Sequence, residues 1–285
     1  MTTFSNVTVL GAGVLGAQIA FQIANHGVAV NSYDVDDDAI AAARGRLTSL
    51  VEQYTGDVGE AHRAAAQTAA GRISFFTDLA AAVADADLVI EAVPENLELK
   101  RDIYARLAVA APPHTVFATN SSTLLPSQIM DSTGRPDRFL ALHFANHIWR
   151  QNTAEIMGTD QTSPEVFQRV VAFAEDIGMV PIPLHKEQPG YVLNSLLVPF
   201  LAAGAGLVLT GVADPETVDK TWRIGTGAPA GPFQIFDVVG LRTAHAISAA
   251  SDDPGSRMWA DYLEANYISQ GKLGVESGEG FYKYR

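Results

Sequence analysis

Cysteine is missing from all 285 residues, which excludes disulfides, thiolate nucleophiles and cysteine-based metal sites. Positive charge is scarce: 19 lysines and arginines face 32 aspartates and glutamates, a formal charge of −13. That balance argues against nucleic acid and anionic membranes as partners, and it leaves any anionic ligand to be held by local groups. The first residues show neither a basic nor an apolar leader region, so a cytoplasmic protein is expected. Long apolar runs are reduced to one, residues 191–209, near the roughly 20 residues a bilayer requires. It contains Asn194, Ser195, Pro199, Gly204 and Gly206, and it reads as a helix buried on all sides of a globular domain. What is present suffices for a real core, in one large or two medium domains.

Residues 6–10, NVTVL, form a β-rich run that leads at once into Gly11-Ala12-Gly13-Val14-Leu15-Gly16. A helical stretch follows to Asn25 and stops at His26-Gly27, then a second strand ends at Asp34, 23 positions after the first glycine. A lone glycine fingerprint can be merely a turn, but strand, fingerprint, helix, strand and acid in this order predict dinucleotide binding. Gly11 makes the tight turn, Gly13 lets a pyrophosphate approach the backbone, and Gly16 lets the helix pack on the strand. Asp34 is placed to hydrogen-bond the ribose 2′-hydroxyl, and no arginine stands beside it to accept a 2′-phosphate, which favours NAD over NADP. Asp36, Asp37 and Asp38 read as the cap and first turn of the next helix.

Helices and strands alternate onward: two helices over 39–70 with a break near Thr55-Gly56 and Gly59, a strand at 73–76 and a short helix over 78–86. A strand at 87–93, a helix at 97–111 and a strand at 115–119 follow. The alternation predicts a parallel sheet with right-handed crossovers, whose ligands sit at the carboxyl ends of the strands. Glu95, Asn120 and Ser122 lie just past such ends. Ser121 or Ser122 could instead only cap a helix starting near Ser127.

Residues 139–144 and 153–157 are short apolar strands, each interrupted by one polar group, His143 and Glu155. If the strands are neighbours, imidazole and carboxylate meet as a proton-transfer pair; otherwise His143 is a core histidine satisfied by a backbone carbonyl. A helix over 163–177 and a last strand over 179–184 complete an N-terminal domain of residues 1–188. Residues 189–285 show no further alternation and are expected to be all-α, with helices at 191–209, from Asp214-Pro215, over 232–251 and over 257–267. The fold class is therefore α/β: a Rossmann-like, mostly parallel sheet domain followed by an all-α domain. A helix apolar on every side in so small a domain suggests a homodimer formed through it, which a monomeric mass in light scattering would exclude.

The ordered set VTVLGAGVLGAQIA, DLVIEAVPENLELK, FATNSSTL, LALHFAN, AEIMG, QPGYVLNSLLVPF, GAPAGPFQIFDVVGL and SGEGFYKY resembles the 3-hydroxyacyl-CoA dehydrogenase family along nearly the whole chain. Within it, the HFANH and NTAE wording is similar to the bacterial diketoreductase group. The resemblance implies that His143 is the general acid/base, Glu155 its orienting carboxylate, and Ser122 and Asn194 hydrogen-bond donors near the reacting oxygen. It places Asn146, Glu95 and Lys100 near the nicotinamide half of NAD. The implied reaction interconverts a 3-hydroxy and a 3-keto group by hydride transfer.

Departures from the family concern the substrate. Members that hold CoA carry several lysines on the helices after the second strand, where this chain has only Arg44, Arg46 and Arg63, with Asp57 and Glu60 between them. A β-keto or 3-hydroxy acid, ester or diketo ester is therefore expected as the small-molecule substrate. The alternatives are a 3-hydroxyacyl-CoA thioester of fatty-acid metabolism and a non-catalytic, crystallin-like NAD-binding protein. The family's proline after HFFN is His147 here, followed by Trp149 and Arg150. His143 and His147 lie on a strand and a loop with no carboxylate cluster, and no metal is expected.

Overall fold

The structure is a computed structural model and describes residues 3–284. The chain forms two compact units that divide after Val192. In the first, β1 (Asn6–Leu10), α1 (Val14–Asn25), β2 (Ala29–Tyr33), α2 (Asp37–Val58), α3 (Arg63–Gly71) and β3 (Ile73–Phe76) come in order. Then follow α4 (Leu79–Val83), β4 (Leu88–Glu91), α5 (Leu97–Ala110), β5 (Val116–Thr119), β6 (Phe139–Phe144), β7 (Thr153–Gly158), α6 (Pro164–Asp176) and β8 (Val180–Leu184).

The strands make one sheet in the order β3-β2-β1-β4-β5-β6-β7-β8. Every neighbouring pair is parallel except β6 and β7. Successive side chains on a strand face opposite ways, so the central apolar runs fill two cores. Val9, Ile90, Ala118, Leu140 and Leu142 pack with Ile19, Phe21, Val170 and Phe173 on one face. Leu10, Val89, Phe117 and Phe139 pack with Ile103, Tyr104 and Leu107 on the other. The strand order reverses between β1 and β4, which opens a crevice at their carboxyl ends, the usual ligand position in such sheets.

Local chemistry moved several boundaries. The long second helix runs through Thr55-Gly56 and stops at Gly59. No α-helix begins near Ser127 for Ser121 or Ser122 to cap; three 3-10 turns at Pro126–Gln128, Met130–Thr133 and Pro136–Arg138 stand there. Pro126 and Pro136 open two of these turns, and each lacks the N–H a continuing helix would use.

The second unit contains α7 (Leu193–Leu209), α8 (Pro215–Thr226), α9 (Pro232–Val239), α10 (Leu241–Ala249) and α11 (Pro254–Asn266). Phe233, Phe236, Trp259 and Leu263 form its core, with Phe281 against them. Two buried aspartates tie it together. Asp219 accepts from the backbone N–H groups of Phe233 and Gln234 and from the Tyr282 hydroxyl. Asp237 accepts from the N–H groups of Phe281 and Tyr282 and from the Tyr284 hydroxyl. The GPFQIFD and GFYKY motifs are thus structural staples. Residues 232–251 are two helices rather than one, because Gly240 turns between them at φ 90.

The expected all-round burial of the long apolar helix does not hold within one chain. Of its residues only Gly204 and Ala205 are buried, while Leu196 is 69% and Val198 55% exposed. It also starts later than expected, since Gly190 and Tyr191 both take left-handed backbone, at φ 77 and 54. Among the described residues no helix is long and apolar enough to cross a membrane.

Candidate active site

Gly11 follows β1 at φ 88, and a Cβ there would lie 2.7 Å from the carbonyl oxygen of Ala92, just past β4. A Cβ on Gly16 would lie 1.8 Å from the carbonyl oxygen of Gly11, so α1 packs on the turn only because that position is glycine. At Gly13 a Cβ would meet nothing within 4 Å; this face of the loop is open. Gly13 also caps α1 without a side-chain hydrogen bond, which leaves the helix's first amide donors, from Val14 and Leu15 onward, to a ligand. Asp34 accepts from Ala12 N–H and Val35 N–H, both at 2.8 Å, one on each oxygen. A carboxylate has about four lone-pair sites, so two stay available. These residues fit a dinucleotide with its pyrophosphate on the glycine turn.

Past β4 and β5 lies a charged network. Lys100, on α5 and 1% exposed, holds Glu91 at 2.6 Å and Glu95 at 3.4 Å. Thr119 donates to the second Glu91 oxygen at 2.8 Å. Burial raises the Glu91 carboxyl despite Lys100 beside it. Burial would also raise Glu95, but donors from Ser121 and Thr123, aided by Lys100, bring it down to about 2. Glu95 therefore grips the serine-rich loop through Ser121 Oγ, Thr123 N–H and Thr123 Oγ1. Lys100, assigned from the sequence to the nicotinamide half, reaches this loop through Glu95. Asn120 Oδ1 accepts from Phe144 N–H at 2.9 Å and so braces the end of β6 against β5.

His143 and Glu155 are direct partners in the antiparallel β6–β7 register. Their side chains share a face with Ala141 and Met157, an apolar floor closed by Tyr191. His143 Nδ1 lies 3.0 Å from Glu155 Oε2, and both residues are buried. An ionised carboxylate only accepts, so Nδ1 carries the proton and Nε2 is presented outward. Ser122 Oγ stands 3.1 Å from that Nε2. The other Glu155 oxygen accepts from Val192 N–H at 2.9 Å, and the Tyr191 ring stacks on the imidazole at 4.5 Å. Buried charge is tolerable only with such a set of hydrogen bonds.

The fold thus brings Ser122, His143 and Glu155 together at the carboxyl edge that also bears the glycine loop, Asp34 and Glu95. Asn146 is exposed on the turn after β6. Asn194 stands half-buried in the first turn of α7, in the second unit. His147 adopts φ 59, its N–H bonded to Gln18. Trp149 Nε1 and Arg150 donate to Asp57 at 2.8 and 3.1 Å, which pins this loop to α2. Sequence reasoning missed Glu91, Tyr191 and the Val192 amide. An acid inside the apolar run DLVIEAV, nine residues before Lys100, was a readable signal for the first; a backbone N–H has none.

Residues 6–188 match the 3-hydroxyacyl-CoA dehydrogenase NAD binding domain, and residues 190–284 match its C-terminal domain. The chain belongs to the 3-hydroxyacyl-CoA dehydrogenase family. It is 37% identical to the mitochondrial hydroxyacyl-coenzyme A dehydrogenase of Rattus norvegicus, over 98% of this chain and 91% of that protein. A probable 3-hydroxybutyryl-CoA dehydrogenase of Deinococcus radiodurans is 34% identical over 97% of this chain and 99% of its own. A diketoreductase, described as catalysing substrate-directed dual reactions of dicarbonyl compounds, shares 63% identity and a TM-score of 0.96, covering 100% of both chains. Within this family the chain is an NAD-dependent oxidoreductase acting at a 3-hydroxy or 3-keto carbon. A buried pair such as His143–Glu155 can donate and accept a proton.

Proposed function

We propose that the protein reduces CoA-free β-keto or diketo esters and acids with NADH, and oxidises the corresponding 3-hydroxy compounds with NAD. The observation that carries this is the His143 imidazole, held at Nδ1 by Glu155 and facing Ser122 with Nε2. His143 gives its Nε2 proton to the forming alkoxide in reduction and takes it from the hydroxyl in oxidation. Glu155 stabilises the imidazolium, and Ser122 Oγ–H polarises the reacting oxygen. NAD(H), held by the Gly11–Gly16 turn and Asp34, supplies the hydride chemistry when bound. Glu95, Asn120 and Asn146 would line its nicotinamide half, with Lys100 behind Glu95. For Asn194, support comes from the family resemblance alone.

Charge around α2 favours the CoA-free class. Arg63 is paired with Glu52 and Glu60, Arg44 lies over the Phe75 ring at 4.4 Å, and Arg46 donates to the Ala12 carbonyl. Arg150 is taken by Asp57. Cations already engaged have less to offer a polyanionic substrate. NADH oxidation followed with a free β-keto ester and with acetoacetyl-CoA tests the reading. Faster turnover of the ester supports it; preference for the thioester assigns a 3-hydroxyacyl-CoA dehydrogenase, and inactivity on both sinks the substrate argument.

Two further outcomes belong to the same reading. Asp34→Ser raises the KM for NADH roughly 10–100-fold, the loss of one charge-assisted hydrogen bond, and weakens discrimination against NADPH; an unchanged KM in initial-rate assays removes Asp34 from the cofactor. The exposed apolar residues of α7 support a homodimer joined through the helical unit. Light scattering at micromolar concentration then returns twice the chain mass, and a monomer mass excludes it.

A further inference from the structure

Resting on the acid–base reading of His143, we propose that Tyr191 is a positioning residue for that imidazole. Three contacts converge on the pair Tyr191-Val192. The Tyr191 ring lies on the His143 ring with centroids 4.5 Å apart and planes 14° apart. The Tyr191 hydroxyl donates to the carbonyl oxygen of Ser121 at 2.7 Å, the residue before Ser122. The next amide, Val192 N–H, donates to the Glu155 oxygen that His143 does not use, at 2.9 Å. One two-residue segment thus touches the imidazole face, the carboxylate beneath it and the backbone that carries Ser122.

The backbone makes this possible at a cost. Tyr191 is held at φ 54, a left-handed conformation that non-glycine residues rarely adopt, directly after Gly190 at φ 77. Strain of this kind persists only where the surroundings enforce it, and it gathers at functional sites. Here the turn lets ring and following amide point at the same dyad. A ring merely filling the core needs no bond to Ser121 and no left-handed backbone.

Tyr191 is 1% exposed and acts on the reacting atoms only through His143, Ser122 and Glu155. Its stacked plane blocks tilting of the imidazole, which Nδ1 and Nε2 hydrogen bonds alone allow by rotation about their common line. A misplacement near 1 Å costs up to about 100-fold in rate. The prediction is therefore specific to turnover. Tyr191→Leu lowers kcat by roughly 10–100-fold while the KM for NADH stays within about twofold, because the glycine turn and Asp34 are separate. Tyr191→Phe keeps the stack and loses one neutral hydrogen bond, so kcat falls by less than about tenfold but by at least about threefold.

A second readout needs no substrate. Long-range ¹H–¹⁵N spectra of the imidazoles, with His143 assigned by its loss in His143→Gln, show a single Nδ1–H tautomer in the parent. Tyr191→Leu broadens that signal or splits it between two tautomers. A leucine variant with native melting, parental kcat and a parental imidazole spectrum overturns the assignment. Should that variant fail to fold, Tyr191→Phe decides, and an unchanged kcat overturns it. Absence of turnover of every 3-keto substrate by the parent would instead remove the acid–base reading, and the spectra would still judge Tyr191.

Discussion

His143→Gln lowers kcat for reduction of a 3-keto substrate by about 10²–10⁴-fold, the usual worth of a positioned general acid. Glutamine fills similar space and can still accept from Ser122, but it cannot shuttle a proton at Nε2. The KM for NADH is expected to stay near the parental value, since the imidazole is not among the residues of the glycine turn. Single-turnover rates at saturating NADH check the chemical step directly. Full activity in this variant would assign the proton transfer elsewhere. Glu155→Gln is expected to fall in the same range, because a neutral amide neither fixes the tautomer nor stabilises the imidazolium.

Lys100→Met is expected to destabilise the first unit by about 3–5 kcal/mol at neutral pH, the penalty for stranding a buried charge. Glu91 is fully buried, and its ammonium partner at 2.6 Å would be gone. Melting should fall by roughly 6–20 °C at about 2–4 °C per kcal/mol for a unit of this size. The sign with pH follows from Glu91. Its folded carboxyl is raised already, by burial, and loss of the lysine raises it further. A raised carboxyl contributes stability below its unfolded value, near 4.3, and that stability is lost as pH rises through the folded value. The gap between variant and parent therefore widens from mildly acid to neutral pH. Thermal melts across that range check it, and a constant gap would mean that Glu91 does not depend on Lys100. Adding Glu91→Gln should recover part of the loss, since no buried charge remains.

The expected strand–helix order survived in the first unit because each element carries its own local signal. The glycine turn, the caps at Asp36 and Ser163, and the apolar runs need no distant partner to be read. Boundaries moved where a local breaker interrupts a run whose composition is otherwise helical. Gly240 breaks an otherwise helical run, and prolines 126 and 136 divide a stretch whose composition permits a helix. The long apolar helix keeps exposed residues within one chain, because composition reports what a face prefers, not what this chain can place over it.

At the site, residue types and spacing led to the dinucleotide turn and to Asp34, and they made His143 and Glu155 a proton-transfer pair only on the condition that their two short strands are neighbours. That much the amino-acid sequence determined by itself, together with the family resemblance that added Ser122. Only the tertiary structure decided the register that sets His143 opposite Glu155, since a slip of one residue would turn the carboxylate to the other face. It also decided that Lys100 is buried behind Glu95, and that Tyr191 and the Val192 amide complete the dyad. The bonds of Tyr191 and Val192 to Ser121 and Glu155 span 70 and 37 positions along the chain. They depend on where the backbone turns in space, and no local pattern of side chains encodes that.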